Sequence, residues 1–248
     1  MLATWAPARR SSIVFLALSV AAAAVFVRLG VWQLSRGHER RERNAVVAAR
    51  LAWPEVDIAR IASDTASMRF RRVSVTGVFD YAHELVVTSR TYEGSPGIHI
   101  LTPLRRAGRD TAVLVNRGWV YSPDGFHADL TRWRERDSVT VHGFVEEFPS
   151  ADATPRGGTE HALRRPNREA AERYARYPMA PFYVVLTDSS ASLPAGRIGR
   201  VPPPPLDEGP HLSYAIQWLA FAAIAIIGGI AVTRRRASGS IVATTRGD

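Results

Sequence analysis

Two long apolar runs bracket a stretch in which short alternating segments dominate. Ser11 to Val27 is free of charge, with Arg9 and Arg10 before it and Arg28 and the segment LGVWQL after it. At about 1.5 Å per residue this run reaches only about 25 Å, short of the roughly 30 Å hydrocarbon core of a bilayer. Continuation to Leu34 makes up the length, so a first transmembrane helix is expected over 11–34. Arg28 then lies near one interface, where its side chain snorkels or meets an anionic partner. A cleaved signal peptide is the competing reading, with Ala21 to Ala24 supplying small residues. The apolar pattern continuing to Trp32 favours a retained helix. Leu212 to Thr233 is also free of charge and ends at Arg234, Arg235 and Arg236. A second span is expected over 211–233.

Between the spans the period changes from helical to two. Segments 70–79, 84–90, 98–105, 111–121, 138–146 and 182–188 are short, rich in β-branched residues and partly alternating, which predicts strands. Turn signals separate them: Asp80, Gly94 to Gly97, and Ala107 to Asp110. Strands at this spacing imply an antiparallel meander closed as a barrel or folded as a small sandwich. A few short helices are expected at 36–51, 167–176 and 127–136. Ala151 to Arg165 reads as a surface loop, and Pro202 to Pro205 as a stiff link into the second span.

Charge adds topology. All 32 cations are Arg, and the net charge is +9, yet Arg36 to Pro210 holds 25 Arg against 22 acids. The excess therefore sits largely at the ends, flanking the apolar runs. That distribution argues against nucleic acid as a partner, because a binding footprint is a basic patch on a folded domain. It suits the positive-inside rule instead. The expected organisation is a cytoplasmic N-terminus (1–10), a span, an extracytoplasmic β-rich domain (35–210), a span, and a basic cytoplasmic tail (234–248), in a bacterial inner membrane with membrane lipids around it. Arg36, Arg40, Arg41 and Arg43 oppose that orientation, but long translocated loops largely escape the rule.

The chain has no cysteine, which excludes disulfides, thiolate metal sites, Fe–S clusters and a Cys nucleophile. His38, His83, His99, His127, His142 and His161 form no compact ligand pair, so no metal site built from protein ligands alone is expected. Asp80, His83 and Glu84 stand together in FDYAHE, but Asp80 reads as a turn residue and alternation puts His83 and Glu84 on opposite faces. With no nucleophile elbow or phosphate-binding loop, no catalytic residue is assigned. His211 differs, standing at the threshold of a span with Tyr214 and Trp218 following. An imidazole there can ligate haem iron while the aromatic, apolar surroundings accept a porphyrin; an interfacial His in an aromatic belt is the plainer alternative. Asn116, Arg117, Gly118 and Trp119 also have two readings. One is a contact surface for a carboxylate-bearing ligand or partner. The other is Trp119 as core, Gly118 as a bulge and Arg117 in a structural ion pair.

LGVWQLSR (29–36), GVFDYAHELVV (77–87), GIHILTPL (97–104), VLVNRGWV (113–120), VTVHGFV (139–145) and PHLSYAIQW (210–218) occur in this order between and within two spans. In these motifs the chain resembles the surfeit-locus cytochrome c oxidase assembly factors. The resemblance implies a non-enzymatic factor that acts on oxidase subunit I, alongside other oxidase assembly factors, and handles haem a. It implies that His211 is associated with haem, that Gly30, Trp32 and Gln33 form the first-helix motif, and that Asn116 to Trp119 form the extracytoplasmic one. Arg28 is added from its position as a propionate partner. The chain departs from the family between about Ala151 and Pro181. A membrane-anchored scaffold that binds an oxidase subunit without haem is the alternative function.

Overall fold

A computed structural model describes residues 6–60, 68–134, 138–149, 161–189 and 198–244. It has two compact units, one made of Met1–Val46 with Leu206–Asp248 and the other of Val47–Pro205. The second unit is shorter than the expected domain at both ends. No helix breaker separates Leu34 from Arg36, so the expected span and the expected helix at 36–51 are one helix, α1 (Ala6–Ala52). It stops two residues before Pro54, which disfavours helical geometry in the residue preceding it. The other long helix, α3 (His211–Thr244), starts directly after Pro210. Both helices are long and apolar enough to cross a membrane.

In the helical unit the less exposed positions of α1 include Ser19, Ala23, Phe26, Gly30, Gln33 and Gly37. They recur at alternating spacings of four and three, the seam of a left-handed helix pair. On α3 the matching positions are His211, Ala215, Trp218, Ala222 and Gly229. Small residues let the backbones approach: a Cβ on Gly30 would stand 3.1 Å from Leu219 Cγ, and one on Gly229 would stand 2.8 Å from Ser19 Cβ. Phe26 stacks on Trp218 with ring centroids 5.7 Å apart. The approach to α3 is pinned by Arg40, which donates to the Asp207 carbonyl at 2.9 Å and to both its carboxylate oxygens at 3.1 Å. Asn44 donates to the same carbonyl, and Arg41 faces Glu208 at 3.6 Å. With Arg36 paired to Glu39 at 2.8 Å, three of the cations that opposed the expected orientation are partnered by acids.

The other unit holds eight strands: β1 (Val56–Asp57), β2 (Arg72–Phe79), β3 (Leu85–Tyr92), β4 (Ser95–Arg105), β5 (Ala112–Tyr121), β6 (Val139–Glu147), β7 (Ala162–Leu163) and β8 (Met179–Ser189). All six expected strands are present, and two-residue β1 and β7 are additional. The sheet order is β1-β2-β6-β8-β5-β4-β3-β7, with β2 also pairing β4. That last pairing, Val78 with Arg105 and Phe79 with Leu104, closes β2, β6, β8, β5 and β4 into a ring. The architecture is therefore barrel-like and mainly antiparallel. Gly77 makes the closure possible, because a Cβ there would overlap the Arg105 carbonyl.

Only β3-β4-β5 is a meander. After β5 the chain crosses to pair β6 with β2, and β8 returns between β6 and β5, running parallel to β5. The helix α2 (Arg168–Ala175) lies on that return, capped by the Asn167 side chain, which accepts from Ala170 N–H at 2.7 Å. The expected helix at 127–136 is a single 3₁₀ turn, Leu130–Trp133, its last expected residues lying outside those described. Most of the loop expected at 151–165 also lies outside them.

Inside the ring, Val73, Val75, Val115, Val141, Val184 and Leu186 are fully buried, each worth about 1.5–3 kcal/mol relative to exposure. A second cluster on the outer face packs Leu85, Leu101, Leu114 and Val185 under Ala171 and Ala175 of α2. A third joins Ile98, Ile100 and Val120 to the 3₁₀ turn.

Candidate functional site

The head of α3 brings two motif residues together. His211 Nδ1 lies 3.0 Å from Gln33 Oε1. Glycines surround the ring: a Cβ on Gly37 would stand 3.3 Å from His211 Cβ, and one on Gly209 would stand 3.5 Å from Nε2. Nε2 is thus flanked by a position that carries no side chain. Gly30 lies one turn from Gln33 on the same seam, facing Ala215 and Leu219. Two turns along α3, Trp218 forms an aromatic cluster with Phe26 and Phe221. Trp32 and Tyr214 are exposed, at 52% and 46%.

Arg28 does not join this group. It precedes Gln33 by five residues, which places it about 140° around the helix and about 7.5 Å along it. It is exposed. Gln33 and Gly30 hold the face of α1 that meets α3, and Arg28 lies off that face.

The second motif lies in the barrel, and Arg117 is not on its surface. Its side chain is 0% exposed and meets Glu84, 5% exposed, at 3.3 Å. The guanidinium also donates to the Trp133 carbonyl and lies 5.0 Å from the Phe79 ring centroid and 5.3 Å from that of Tyr81. Thr102 Oγ1 donates to Glu84 Oε1 at 2.9 Å, and Arg134 approaches its other oxygen at 3.9 Å. Burial raises the Glu84 pKa, against the opposing pull of Thr102 and Arg117. The contact-surface reading of Arg117 is corrected: its carboxylate partner is internal.

The bulge between Ile100 and Leu101 explains the arrangement. Val113, Val115 and Arg117 share the inward parity of β5. Gly118, at φ +129°, passes so close to the segment that bridges to Trp119 that a Cβ would stand 2.5 Å from the Gly199 carbonyl oxygen. Phase then shifts by one, so that Val120 points in and Trp119 points out. Trp119 is half-buried beside Tyr92, with centroids 5.5 Å apart, rather than in the core. Asn116 faces outward, its side-chain oxygen accepting from Gly118 N–H and its amide 3.3 Å from His99 Nδ1. Burial, with a lesser effect of Arg90, lowers the His99 pKa to about 4.

At FDYAHE the structure joins Asp80 and His83 but sends Glu84 elsewhere. Asp80 caps the 3₁₀ turn Tyr81–His83, accepting from Ala82 N–H. Its other oxygen meets His83 Nδ1 at 2.8 Å and accepts from Tyr177 Oη at 2.8 Å. Burial acts to raise its pKa, but the hydrogen bonds from His83 and Tyr177 win and lower it. Among the described residues, no three His, Asp or Glu side chains converge as a metal site.

Sequence reasoning named Glu84 and His99 without these partners and did not single out Thr102. One signal was available, since Arg117 shares parity with Val113 and Val115 in a strand otherwise apolar on that face and so requires an internal anion. Nothing local in the sequence pointed to Glu84 as that anion.

Comparison with known proteins bears on both motifs at once. The family model described as the SURF1 family matches residues 20–223, which include the α1 seam from Ala23, the whole barrel and the head of α3. The chain belongs to the SURF1 family. An uncharacterised SURF1-like protein of Mycobacterium tuberculosis is 28% identical over 211 residues, covering 82% of this chain and 76% of the relative. A SURF1-like protein of Monosiga brevicollis is 25% identical over 227 residues, covering 84% and 83%. One from Drosophila melanogaster is 25% identical over 218 residues, covering 79% and 69%. Membership of the SURF1 family points to a role in cytochrome oxidase assembly, and the family consists of assembly factors rather than catalysts. With its two long apolar helices, this SURF1 family member is a membrane protein.

Proposed function

We propose that this SURF1 family member assists cytochrome c oxidase assembly by holding haem a at the head of α3 for insertion into subunit I. The observation that carries the reading is the His211–Gln33 pair. Nδ1 is engaged by an acceptor and Nε2 lies beside Gly209, where a Cβ would fill the approach. Haem iron coordinated there would supply the anchoring bond, and the apolar seam would shield the ring. Shielding matters because haem a is strongly apolar, and exposed apolar surface costs about 25 cal/mol per Å² in water. Phe26, Trp218 and Phe221 offer the stacking surface, and Trp32 and Tyr214 are exposed aromatics on the two helices. His211 as the one imidazole ligand would suit transfer rather than storage. The barrel would meet subunit I and other assembly factors, with both termini cytoplasmic and the barrel outside a bacterial inner membrane.

Co-expression with a haem a synthase, purification in detergent and an optical spectrum test this. Haem a is expected to co-purify with the wild type and to be lost in His211→Ala. Absence of haem, or an unchanged spectrum in His211→Ala, sinks the ligand reading and leaves a scaffold that binds an oxidase subunit without haem. A deletion strain with oxidase still assembled and active removes both readings. A periplasm-dependent reporter inserted within 150–165 is expected to be active, and silence reverses the orientation.

A further inference from the structure

We infer that Gln33 is a positioning residue that fixes His211 in the Nδ1–H tautomer and so makes Nε2 the ligating nitrogen. The inference rests on the haem reading above and names what prepares the ring for it. The Gln33 atom placed 3.0 Å from Nδ1 is the amide oxygen, an acceptor; with the amide so assigned, a neutral ring carries its proton on Nδ1 and its lone pair on Nε2. An unrestrained neutral imidazole prefers the opposite tautomer, so the hydrogen bond has work to do.

Three features hold the pair in register. Gly30 and Gly37 stand one turn either side of Gln33 and let the helices close around it. Pro210 starts α3 at His211, leaving no preceding turn of helix in which the ring could slide. The clamp of Arg40 and Asn44 on the Asp207 carbonyl fixes the chain four residues upstream of His211. A neutral amide is also chemically apt. An acceptor on the far nitrogen raises ligand basicity, and a carboxylate in that place would push electron density harder and strengthen the iron bond. An amide orients the ring with a weaker push, which favours a cargo that must leave.

The test uses full-length, haem-free protein in detergent with ¹⁵N-labelled histidine, the His211 signals being identified by their loss in His211→Ala. Wild type is expected to show Nδ1 protonated and Nε2 bare. Gln33→Leu is expected to move the population to Nε2–H and to weaken haem a binding 10- to 100-fold, the usual cost of losing such a partner. Gln33→Glu keeps the Nδ1–H tautomer and, once haem is added, gives a more negative reduction potential than wild type. A wild-type ring protonated on Nε2 overturns the inference, as does a Gln33→Leu protein with unchanged tautomer or unchanged affinity. Because the tautomer is read without haem, failure of the haem reading is distinguishable: the expected tautomer with no haem uptake by wild type overturns the ligand role while leaving the hold of Gln33 on the ring in place.

Discussion

Replacing Arg117 by Met tests whether the family motif in β5 is internal architecture. The substitution keeps a long apolar stem but removes the cation facing Glu84. Glu84 would be left 5% exposed, with Thr102 as its close donor and Arg134 at 3.9 Å. Removing one member of a buried pair costs about 3–5 kcal/mol, and two cation–π contacts add about 1 kcal/mol. Loss of the bond to the Trp133 carbonyl also frees the 3₁₀ turn that covers Ile98 and Ile100. A loss of about 4 kcal/mol is a large part of the 5–15 kcal/mol typical of a domain.

Glu84 supplies the control. Its pKa is already raised by burial, and without Arg117 it rises further. The folded state then binds a proton that the unfolded state releases near pH 4.5, so the stability of the variant falls as pH rises through the raised value. Urea unfolding of the full chain in detergent, followed by tryptophan fluorescence at pH 5 and pH 8, should show the larger deficit at pH 8. The double variant Glu84→Gln, Arg117→Met should show the same deficit relative to wild type at both pH values and recover part of the stability. A deficit below about 1 kcal/mol at pH 8, or a double variant whose deficit still grows from pH 5 to pH 8, refutes the assignment of an internal pair.

His99 has the opposite sign from such an acid. With its folded pKa lowered to about 4 against 6.5 unfolded, the unfolded chain takes up the proton first, so stability falls as pH drops from about 6.5 to 4. The full effect is about 3 kcal/mol, and His99→Gln should flatten the denaturation profile across that window. The helix seam can be tested by cross-linking, since the chain has no cysteine of its own. Ser19→Cys with Gly229→Cys should form a disulfide on mild oxidation, the two Cβ positions lying 2.8 Å apart before relaxation. Adding Gly30→Val should lower the yield, because its Cβ begins 3.1 Å from Leu219 and its methyl groups extend further.

The strands and long helices were legible because their signals are local. Runs of apolar residues marked the apolar stretches of α1 and α3, and period-two patterns marked β2, β3, β4, β5, β6 and β8. Strand order was less so, since parallel β5–β8 pairing depends on a crossover through α2 that no alternation encodes. At the site, Gln33 and His211 were each visible as motif residues, but they are separated by 178 positions and only the packing of α1 on α3 pairs them. Arg28 shows the converse, being conspicuous in the sequence yet turned from the seam by helical phase.

By itself, then, the sequence determined the apolar spans, the strand-forming middle and the charge distribution at the ends, all properties of residues within a few turns or strands of one another. Tertiary structure decided which charges meet. Parity with Val113 and Val115 kept Arg117 on the inside, a bulge of one residue in β5 turned Trp119 out, and barrel closure at Gly77 buried that inside. There a cation must find its anion within the fold, and it finds Glu84.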